Sequence, residues 1–415
     1  MARITNLSGR VVFDSRGDKT IEVEVSIDGV KGRAAAPAGK SRGKREVEPY
    51  PAGGPEEAVR VLSSVVAPKL VGHEYSSFIE LDKTLQEIDG TPSFSKIGGN
   101  TALATSVAAL SAYAALTGEP IYRIISRETR QEPGLPLPLG NVLGGGKHAG
   151  QGAPEIQEYL VIPLNPRTIH EAVEANIRVH RALGEILSKR VGGFPLGKGD
   201  EGGYAPPISV EAALEAVKMA ADTVEDAMGI RLGMGLDVAA GSIYDESSRR
   251  YVLKSQGLYL DREGFLNYLA GLAERVNLVY IEDPFIEDDP DTFAKLRKKL
   301  PNTLICGDDL VVTRRELIED CLRRGAINAA IIKPNQVGSL YLTWQAVEAC
   351  LQGGAVPVAS HRSGETTDTY LSHIAVGMGC KVMKAGVLGG ERVAKANELL
   401  RIGEEVGASR VRRIA

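Results

Sequence analysis

The chain has 415 residues, of which 43% are hydrophobic and 25% are charged, and its formal net charge is −4. A chain of this length can bury a large core and exceeds the usual size of one domain. The slightly acidic charge and the absence of long basic runs argue against a surface for nucleic acids or anionic membranes. Small molecules and further copies of the chain are therefore the expected partners.

The cysteine pattern and the N-terminal sequence give an expectation for the cellular location of the protein. The four cysteines lie far apart without a CxxC pair, which predicts neither a zinc knuckle nor a disulfide framework and favours reduced thiols. The first residues, MARITNLSGRVVFDSRG, carry charges where a secretion signal has an unbroken apolar segment, and no window is long enough for a membrane span. We therefore expect a cytoplasmic protein without a membrane span.

Residues 1–130 are expected to form a smaller α+β domain. Alternating runs at 11–13 and 20–27 flank the turn DSRGDK and predict antiparallel strands, which the glycine-rich loop APAGKSRGK follows. Helical patterns cover residues 55–70 and the segment from Asn100, as N-cap, to Gly118, as the residue after the helix. The segment 130–140, rich in proline and glycine, predicts the linker to a second domain at 131–415.

The second domain repeats one pattern, in which an apolar run ends in a polar residue and is followed by a loop and an amphipathic helix. The runs are IQEYLVIP, GMGLDVAA, LVYIEDP, TLICGDD, AAIIKPNQ, AVPVASHR and KVMKAG. Seven or eight such units predict an α/β fold with a parallel (β/α)8-type barrel. The carboxyl ends of its strands converge on one face, so we expect the polar residues there to form one site.

Three carboxylates and two lysines end these predicted strands. Asp237, Glu282 and Asp308 would repel one another at close range unless a cation separated them, and an all-oxygen set favours Mg²⁺ over Zn²⁺. One such acid alone is more often a salt-bridged surface residue, but equivalent positions in repeated units favour a metal site. Nearby Mg²⁺ and a second lysine are expected to lower the pKa of Lys333 or Lys384. We predict that Lys333 is a base, whereas Lys384 could be a permanent cation.

Further polar candidates lie in loops. Glu201 in KGDEGGYAPP and Glu158 in IQEYL could share a proton, giving one raised pKa and a general acid, although DEGG by itself is an ordinary solvated turn. Among six histidines, those next to other candidates are His148 and His361. Arg362 and Ser363 in SHRSG offer a guanidinium and a hydroxyl suited to a phosphate, and the alternative is an arginine ion-paired at the barrel rim.

Taken together, the motifs resemble the enolase family along nearly the whole chain, from VFDSRGDKTIEVEV to LLRIGEEVG. The motifs that carry this resemblance are DEGGYAP, LDVAA, IEDPFIEDD, GDDLVVT, IIKPNQVGSL, SHRSGETTD and KAG, in that order. The resemblance implies the enolase-like variant of the barrel. It also implies a Mg²⁺-dependent, reversible dehydration of 2-phosphoglycerate to phosphoenolpyruvate in glycolysis and gluconeogenesis.

The resemblance also implies residue roles. The first of two Mg²⁺ ions would be held by Asp237, Glu282 and Asp308, and the second, which arrives with the substrate, would be bound with help from Ser41. Lys333 would remove the carbon-2 proton, and Glu201, assisted by Glu158, would protonate the departing carbon-3 hydroxyl. Lys384 would stabilise the developing negative charge and contact the substrate, and His361 would complete the catalytic set. The residues implied to bind substrate are Arg362 and Ser363, which would bind the phosphate, and Gln157 and His148.

This chain departs from the usual family pattern in four places. The loop reads AGKSRG instead of SGAST, which adds Lys40 and Arg42 near the expected phosphate position. The segment 148–158 is one residue longer, NVLGGG replaces NVLNGG, and VLGGER after Lys384 is one residue shorter.

The resemblance further implies at least a homodimer, in which Arg10 and Glu22 pair with Glu404 and Arg401 of the partner subunit.

The sequence leaves two other interpretations. Another member of the same superfamily could act on a non-phosphorylated hydroxy acid, but such enzymes usually carry a Lys-x-Lys base on an early strand and lack HRSG, the reverse of this chain. A non-catalytic barrel that serves as a binding or adhesion protein predicts a broken set of acids, bases and metal ligands, and the set here is complete. A surface-binding activity in addition to catalysis stays open.

Overall fold

The computed structural model describes residues 3–150, 152–191 and 196–414. The strands are β1 (Ile4–Phe13), β2 (Lys19–Ile27), β3 (Val30–Ala35), β4 (Leu137–Gly144), β5 (Glu158–Pro163), β6 (Leu232–Asp237), β7 (Tyr244–Asp245), β8 (Arg250–Leu253), β9 (Leu258–Leu260), β10 (Leu278–Glu282), β11 (Leu304–Gly307), β12 (Ala329–Ile332), β13 (Val356–Ser360) and β14 (Val382–Lys384). The helices are α1 (Gly54–Val61), α2 (Ala67–Leu70), α3 (Phe78–Asp89), α4 (Gly99–Thr117), α5 (Ile121–Thr129), α6 (Ile169–Val191), α7 (Val210–Met228), α8 (Arg262–Val276), α9 (Pro290–Lys299), α10 (Arg315–Arg323), α11 (Pro334–Val337), α12 (Leu340–Gln352), α13 (Tyr370–Gly377) and α14 (Gly390–Val406).

The N-terminal part is a three-stranded antiparallel sheet covered by helices. The strand order is β1-β2-β3, and the first strand begins earlier than the alternating pattern at 11–13 predicts. Between α1 and α2 lies one π-helical segment, Leu62–Val66, so the predicted helix over 55–70 is continuous but irregular. Helix α4 is capped by Gly98, so the prediction of Asn100 as N-cap is wrong, whereas Gly118 ends the helix in the left-handed conformation as expected.

The C-terminal part is a closed eight-stranded barrel in the order β10-β11-β12-β13-β14-β4-β5-β6, with helices outside it. The predicted fold class, a (β/α)8-type barrel preceded by a smaller α+β part, is confirmed. The expectation of an all-parallel sheet is wrong in one respect, because β5 runs antiparallel to both β4 and β6. A direct loop between β4 and β5 replaces the crossover helix that a parallel pair requires, which reverses the direction of β5.

The glycine-rich loop of the smaller part lies against the barrel. Ala38 N donates to Gly364 O at 2.8 Å, and Gly364 N donates to Ala38 O at 2.9 Å. This two-bond bridge holds the segment AGKSRG beside the segment SHRSG. The smaller part therefore supplies one wall of the site at the barrel mouth.

Two further features concern the chain as a whole. No single helix of the described ranges is long and apolar enough to cross a membrane, although Gly99–Thr117 and Ile121–Thr129, bent by 108°, pass that test together. The four cysteines, which are Cys306, Cys321, Cys350 and Cys380, are buried and free.

Candidate active site

Strand register brings the predicted polar residues to one end of the barrel. Asp237 at the end of β6 is level with Glu282 at the end of β10, and Ser360 on β13 is level with Lys384 on β14. Glu158 begins its strand rather than ending it. Because β5 is antiparallel to β6, Glu158 is nevertheless paired with Asp237 and lies at the same barrel end.

Lys384 is the centre of a buried cluster of charges. Its Nζ lies 2.9 Å from Glu282 Oε2, 3.0 Å from Asp237 Oδ2 and 3.2 Å from Glu158 Oε1. Burial favours the neutral amine, but the three carboxylates more than offset this effect and raise the pKa of Lys384 well above its ordinary value. Burial and the charge of Asp237 raise the pKa of Glu282 to about 8. These contacts favour the charged form of Lys384, which is one of the two alternatives that the sequence left open.

Lys333 pairs with Asp308 instead. The ammonium contacts Asp308 Oδ2, while Gln336 Nε2 donates to Asp308 Oδ1 at 3.0 Å. Burial acts to lower the pKa of Lys333, but Asp308 raises it above its ordinary value. The pKa that was expected to be lowered by nearby Mg²⁺ is thus raised by the protein's own carboxylates, and its value beside a bound cation stays a prediction.

Glu201 and Glu158 form a compact group with His148. Their nearest side-chain nitrogen and oxygen atoms all lie within 4.8 Å of one another. Burial and the charge of Glu201 raise the pKa of Glu158 well above its ordinary value. Burial would also raise the pKa of Glu201, but His361 and His148 more than offset it and hold that pKa well below its ordinary value. The raised pKa predicted for this pair therefore falls on Glu158 and not on Glu201.

The loop DEGG is held in a conformation that requires glycine. Gly202 has a φ of +80°, and a Cβ there would lie 1.9 Å from Leu388 O. His180 Nε2 lies 2.9 Å from Gly202 O, and Asn141 Nδ2 donates to Glu201 Oε2 at 3.3 Å. These contacts fix the carboxylate of Glu201 inside the site, although its segment has no regular secondary structure.

Arg362 and Ser363 follow β13 and are buried. Arg362 forms an ion pair with Glu46 of the smaller part, and it also donates to Asn335 Oδ1 at 2.9 Å and to Ser41 O at 3.2 Å. The hydroxyl of Ser363 accepts from Lys40 N at 2.7 Å. The guanidinium is therefore ion-paired, as the alternative reading supposed, but deep in the site rather than at an exposed rim.

The loop that departs from the usual family pattern reaches across the mouth of the site. Lys40 Nζ lies 2.7 Å from Asp200 Oδ2, next to Glu201, and Arg42 Nη1 lies 2.7 Å from Glu48 Oε2. The extra cations of this chain are thus paired with carboxylates, and Lys40 ties the loop to the segment that carries Glu201.

The candidate metal ligands supply only oxygen atoms, which suits Mg²⁺. Glu282 Oε1 is buried and has no hydrogen-bond partner among the residues that the structure describes, so one donor atom of the set is free for a cation. Asp237 and Glu282 converge on Lys384, whereas Asp308 belongs to a tight group with Asp283 and Asp309. Both carboxylate oxygens of Asp283 accept backbone N–H groups, from Asp308 and Asp309 at 2.8 Å each. Asp283 thus shapes the turn. The predicted set has the oxygen chemistry that suits a hard cation, but its members are divided between the group at Lys384 and the group of Asp308 with Asp283 and Asp309.

One polar cavity of about 50 Å³ collects most of these groups. The predicted residues among its lining are Ser41, His148, Gln157, Glu158, Asp237, Glu201, Asp308, Lys333, His361, Arg362, Ser363 and Lys384. Glu282 lies behind it, fully buried against Lys384. Gln157 Nε2 donates to Asp237 Oδ2 at 3.3 Å.

Sequence reasoning missed several residues of this site. They are Arg16, which donates to Ser363 Oγ; Glu46, which pairs with Arg362; Asn335 and Gln336 of the KPNQ motif; and Arg392, which contacts His361. Asn335 and Gln336 follow Lys333 after a single proline and could have been noticed as polar residues next to a strand end. Glu46 and Arg392 have no such signal, because only the folded chain brings them to the site.

Comparisons with known proteins agree with this architecture. Residues 4–125 match the family model of the enolase N-terminal domain, and residues 132–412 match that of the enolase C-terminal TIM barrel domain. The enolase of Pyrobaculum aerophilum is 45% identical over 404 residues, covering 96% of each chain. The enolase of Methanothermobacter thermautotrophicus is 41% identical over 409 residues, covering 98% of each chain, and that of Archaeoglobus fulgidus is 43% identical over 404 residues, covering 97% of each. The chain therefore belongs to the enolase family, whose members are lyases of the phosphopyruvate hydratase type.

Proposed function

We propose that this chain catalyses the reversible dehydration of 2-phosphoglycerate to phosphoenolpyruvate with two Mg²⁺ ions. The observation that supports this proposal most is that one cavity brings together the side chains of Lys333, Lys384, Glu158, Glu201, Arg362 and Ser363. This set offers a base, a proton donor and a phosphate-binding group in a chain of the enolase family.

Lys333 is proposed to remove the carbon-2 proton. It directly follows β12 on the cavity wall, and its only ion-pair partner among the described residues is Asp308. An amine can accept a proton only in its neutral form, and Asp308 stabilises the ammonium. Lys333 therefore becomes a base when Asp308 is neutralised by another positive charge.

Removal of that proton leaves two negative charges on the substrate carboxylate. Lys384 is proposed to stabilise them, because it is a buried cation whose ammonium is fixed by three carboxylates before the reaction begins. Such a preorganised charge requires no rearrangement as the negative charge develops.

The second step breaks the bond between carbon 3 and its hydroxyl, which leaves as water after taking up a proton. Glu201 is proposed to deliver this proton, which Glu158 holds at rest because its pKa is raised. His148 lies 3.7 Å from Glu158 Oε1 and 3.6 Å from Glu201 Oε1, between the two carboxyls. The pair is proposed to act as one unit that carries a single proton.

Arg362 and Ser363 are proposed to bind the phosphate, with Gln157 and His148 lining the rest of the pocket. The residues proposed to hold Mg²⁺ are Asp237, Glu282 and Asp308 for the first ion and Ser41 for the second. Bound Mg²⁺ supplies positive charge beside the substrate carboxylate. The carboxylates that hold it are those that now pair with Lys333 and Lys384.

The direct test gives purified protein 2-phosphoglycerate and Mg²⁺ and follows the ultraviolet absorbance of the enol group of phosphoenolpyruvate. We expect the absorbance to rise and to stay constant in a Lys333→Ala, Glu201→Gln double variant. A folded, Mg²⁺-supplied protein that produces no rise would refute the proposal.

A cytoplasmic location is part of the same proposal and is supported by the four free cysteines. A division between the two domains at residues 130 and 131 is also proposed and is supported by the end of α5 at Thr129.

We also propose a homodimer through the smaller domain. In one chain Arg10 contacts Glu22, and Arg401 Nη1 lies 2.8 Å from Glu398 Oε2, so pairing across a dimer would have to compete with these bonds. Exposed pairs contribute only about 0.2–1 kcal/mol each, so the apolar surface that includes Phe13, 67% exposed, would have to contribute most.

Sedimentation of the wild type, Glu22→Lys and the double variant Glu22→Lys, Arg401→Glu tests the dimer. The single variant should weaken the association modestly, and the second change should restore part of it. A wild-type monomer at micromolar concentration would rule the dimer out.

A further inference from the structure

Arg392 is a buried cation that no step above requires. It is only 1% exposed, yet its Nη1 lies 2.6 Å from Nδ1 of His361. A guanidinium has donors and no acceptor, and it stays protonated in proteins. In this contact, therefore, Arg392 donates and His361 Nδ1 accepts through its lone pair.

A neutral imidazole carries one proton, so a ring whose Nδ1 accepts must carry its proton on Nε2. His361 Nε2 lies 3.2 Å from Glu201 Oε2, although the angle of this contact is not that of a hydrogen bond. We propose that Arg392 is a positioning residue that fixes His361 as the Nε2–H tautomer and thereby places an N–H group beside Glu201. The proposal deepens the function proposed above and rests on it for the role of Glu201.

The opposite tautomer would be unfavourable on both sides of the ring. It would point an N–H group at the guanidinium of Arg392 and a lone pair at the carboxylate of Glu201. The charged groups that act on His361 are Glu201, Arg392 and, at longer range, Glu365. Burial lowers the pKa of His361 to about 4, which agrees with a neutral ring near neutral pH.

The position of the Arg392 guanidinium is itself determined by backbone carbonyls. Nη1 also donates to Arg362 O at 2.8 Å, and Nη2 donates to Ser363 O at 2.8 Å and to Asp200 O at 3.3 Å. One side chain thus links the segment that carries Glu201, the imidazole and the two proposed phosphate-binding residues. Arg392 enters from the first turn of α14 and is the last residue of the segment VLGGER, which is one residue shorter than usual in the family.

Nuclear magnetic resonance of ¹⁵N-labelled histidine rings tests the tautomer without any turnover. The His361 signal is assigned by its loss in His361→Gln, and spectra are recorded from about pH 5 to about pH 8, where free histidine titrates. The wild type should show an unprotonated Nδ1 and a protonated Nε2 throughout. In Arg392→Met, Nδ1 should gain a proton within this range or the two tautomers should mix, and Arg392→Lys should restore the wild-type pattern in part.

Lys395→Met is the matched control, because Lys395 is a buried cation one turn further along α14 that pairs with Glu365 at 2.8 Å and has no bond to His361. It should leave the His361 tautomer unchanged. The pH profile of kcat in Arg392→Met should gain an acidic limb that the wild type lacks. A protonated Nδ1 in the wild type, or an unchanged tautomer in folded Arg392→Met, would overturn the inference. If Arg392→Met does not fold, the wild-type spectrum alone still tests the predicted tautomer of His361. A wild type that shows the expected tautomer but has no activity would refute the proposed function and leave the tautomer assignment intact.

Discussion

Arg362 of the barrel and Glu46 of the smaller domain form a buried two-point ion pair, with N···O distances of 3.1 and 3.2 Å. Both side chains line the cavity, so the guanidinium proposed to bind phosphate is oriented by a residue of the other domain. The pair also joins the two domains at the site itself. Its removal should therefore affect both the stability of the protein and the binding of substrate.

Glu46→Ala should destabilise the protein by about 3–5 kcal/mol, because it leaves the charge of Arg362 buried without a partner. Glu46→Gln, which keeps an acceptor of the same shape, should lose less, and Glu46→Ala with Arg362→Met should recover part of the loss. Urea unfolding of the variants measures this effect. Glu56→Ala is the control, because Glu56 and its partner Lys19 are exposed and little change is expected. Equal losses in Glu46→Ala and Glu56→Ala would contradict the prediction.

Lys333 and Glu201 are proposed to act at successive steps, so their variants should fail differently. Lys333→Ala should slow deuterium loss from carbon 2 of labelled 2-phosphoglycerate by at least about 10²-fold, because no base remains. Glu201→Gln should slow dehydration by a similar factor and retain measurable exchange at carbon 2. Mass spectrometry of the recovered substrate separates the two effects. If both variants lose exchange equally, Lys333 is not the sole base.

The sequence predicted the barrel and most of the candidate site because these features are local. Asp237, Glu282 and Lys384 each end an apolar run, and such runs at regular spacing indicate strands whose ends meet. The direction of β5 could not be predicted in this way, because an apolar run looks the same in a parallel and in an antiparallel strand. The direct loop between β4 and β5 is what reverses the direction of β5. Its consequence is that Glu158 reaches the site from the start of its strand.

The sequence predicted which residues line the cavity better than it predicted the pKa values of those residues. The pKa of Lys333 depends on whether Asp308 pairs with this lysine alone or also with a metal ion, and the sequence does not contain that information. The raised pKa of Glu158 rather than Glu201 follows from the positions of His148 and His361, which lie far from Glu201 in the chain. Interactions between distant segments, such as the one between Glu46 and Arg362, leave no pattern in a single sequence.

Metal binding should compete with the lysines of the site. A chelator should abolish activity and Mg²⁺ should restore it, and Asp308→Asn should weaken Mg²⁺ binding in calorimetry because a charged oxygen ligand is lost. The control is Asp320→Asn, a surface acid that pairs with Arg323 and Arg324 on α10 and its end. In the wild type Mg²⁺ should also release protons, because a cation on Asp308 removes the charge that raises the pKa of Lys333. Equal Mg²⁺ affinity of Asp308→Asn and the wild type would exclude Asp308 from the ligands.

Asp82 should make stability depend on pH. This carboxylate on α3 is fully buried, and its Oδ2 accepts from Ser339 Oγ and from Tyr341 N, each at 2.8 Å, at the start of α12. Burial raises its pKa from 3.8 to about 6. Between these two values the folded protein holds a proton that the unfolded chain has released, so stability falls as the pH rises through this range.

We therefore expect the wild type to lose about 3 kcal/mol of unfolding free energy relative to Asp82→Asn between about pH 4 and about pH 7. Asparagine keeps the acceptor that caps α12 but has no proton to release, so the difference between the two curves isolates this residue. Denaturant unfolding at several pH values measures it, with Asp222→Asn as a control because Asp222 is an exposed partner of Lys218. Parallel curves for the wild type and Asp82→Asn would show that Asp82 is not the source of the pH dependence.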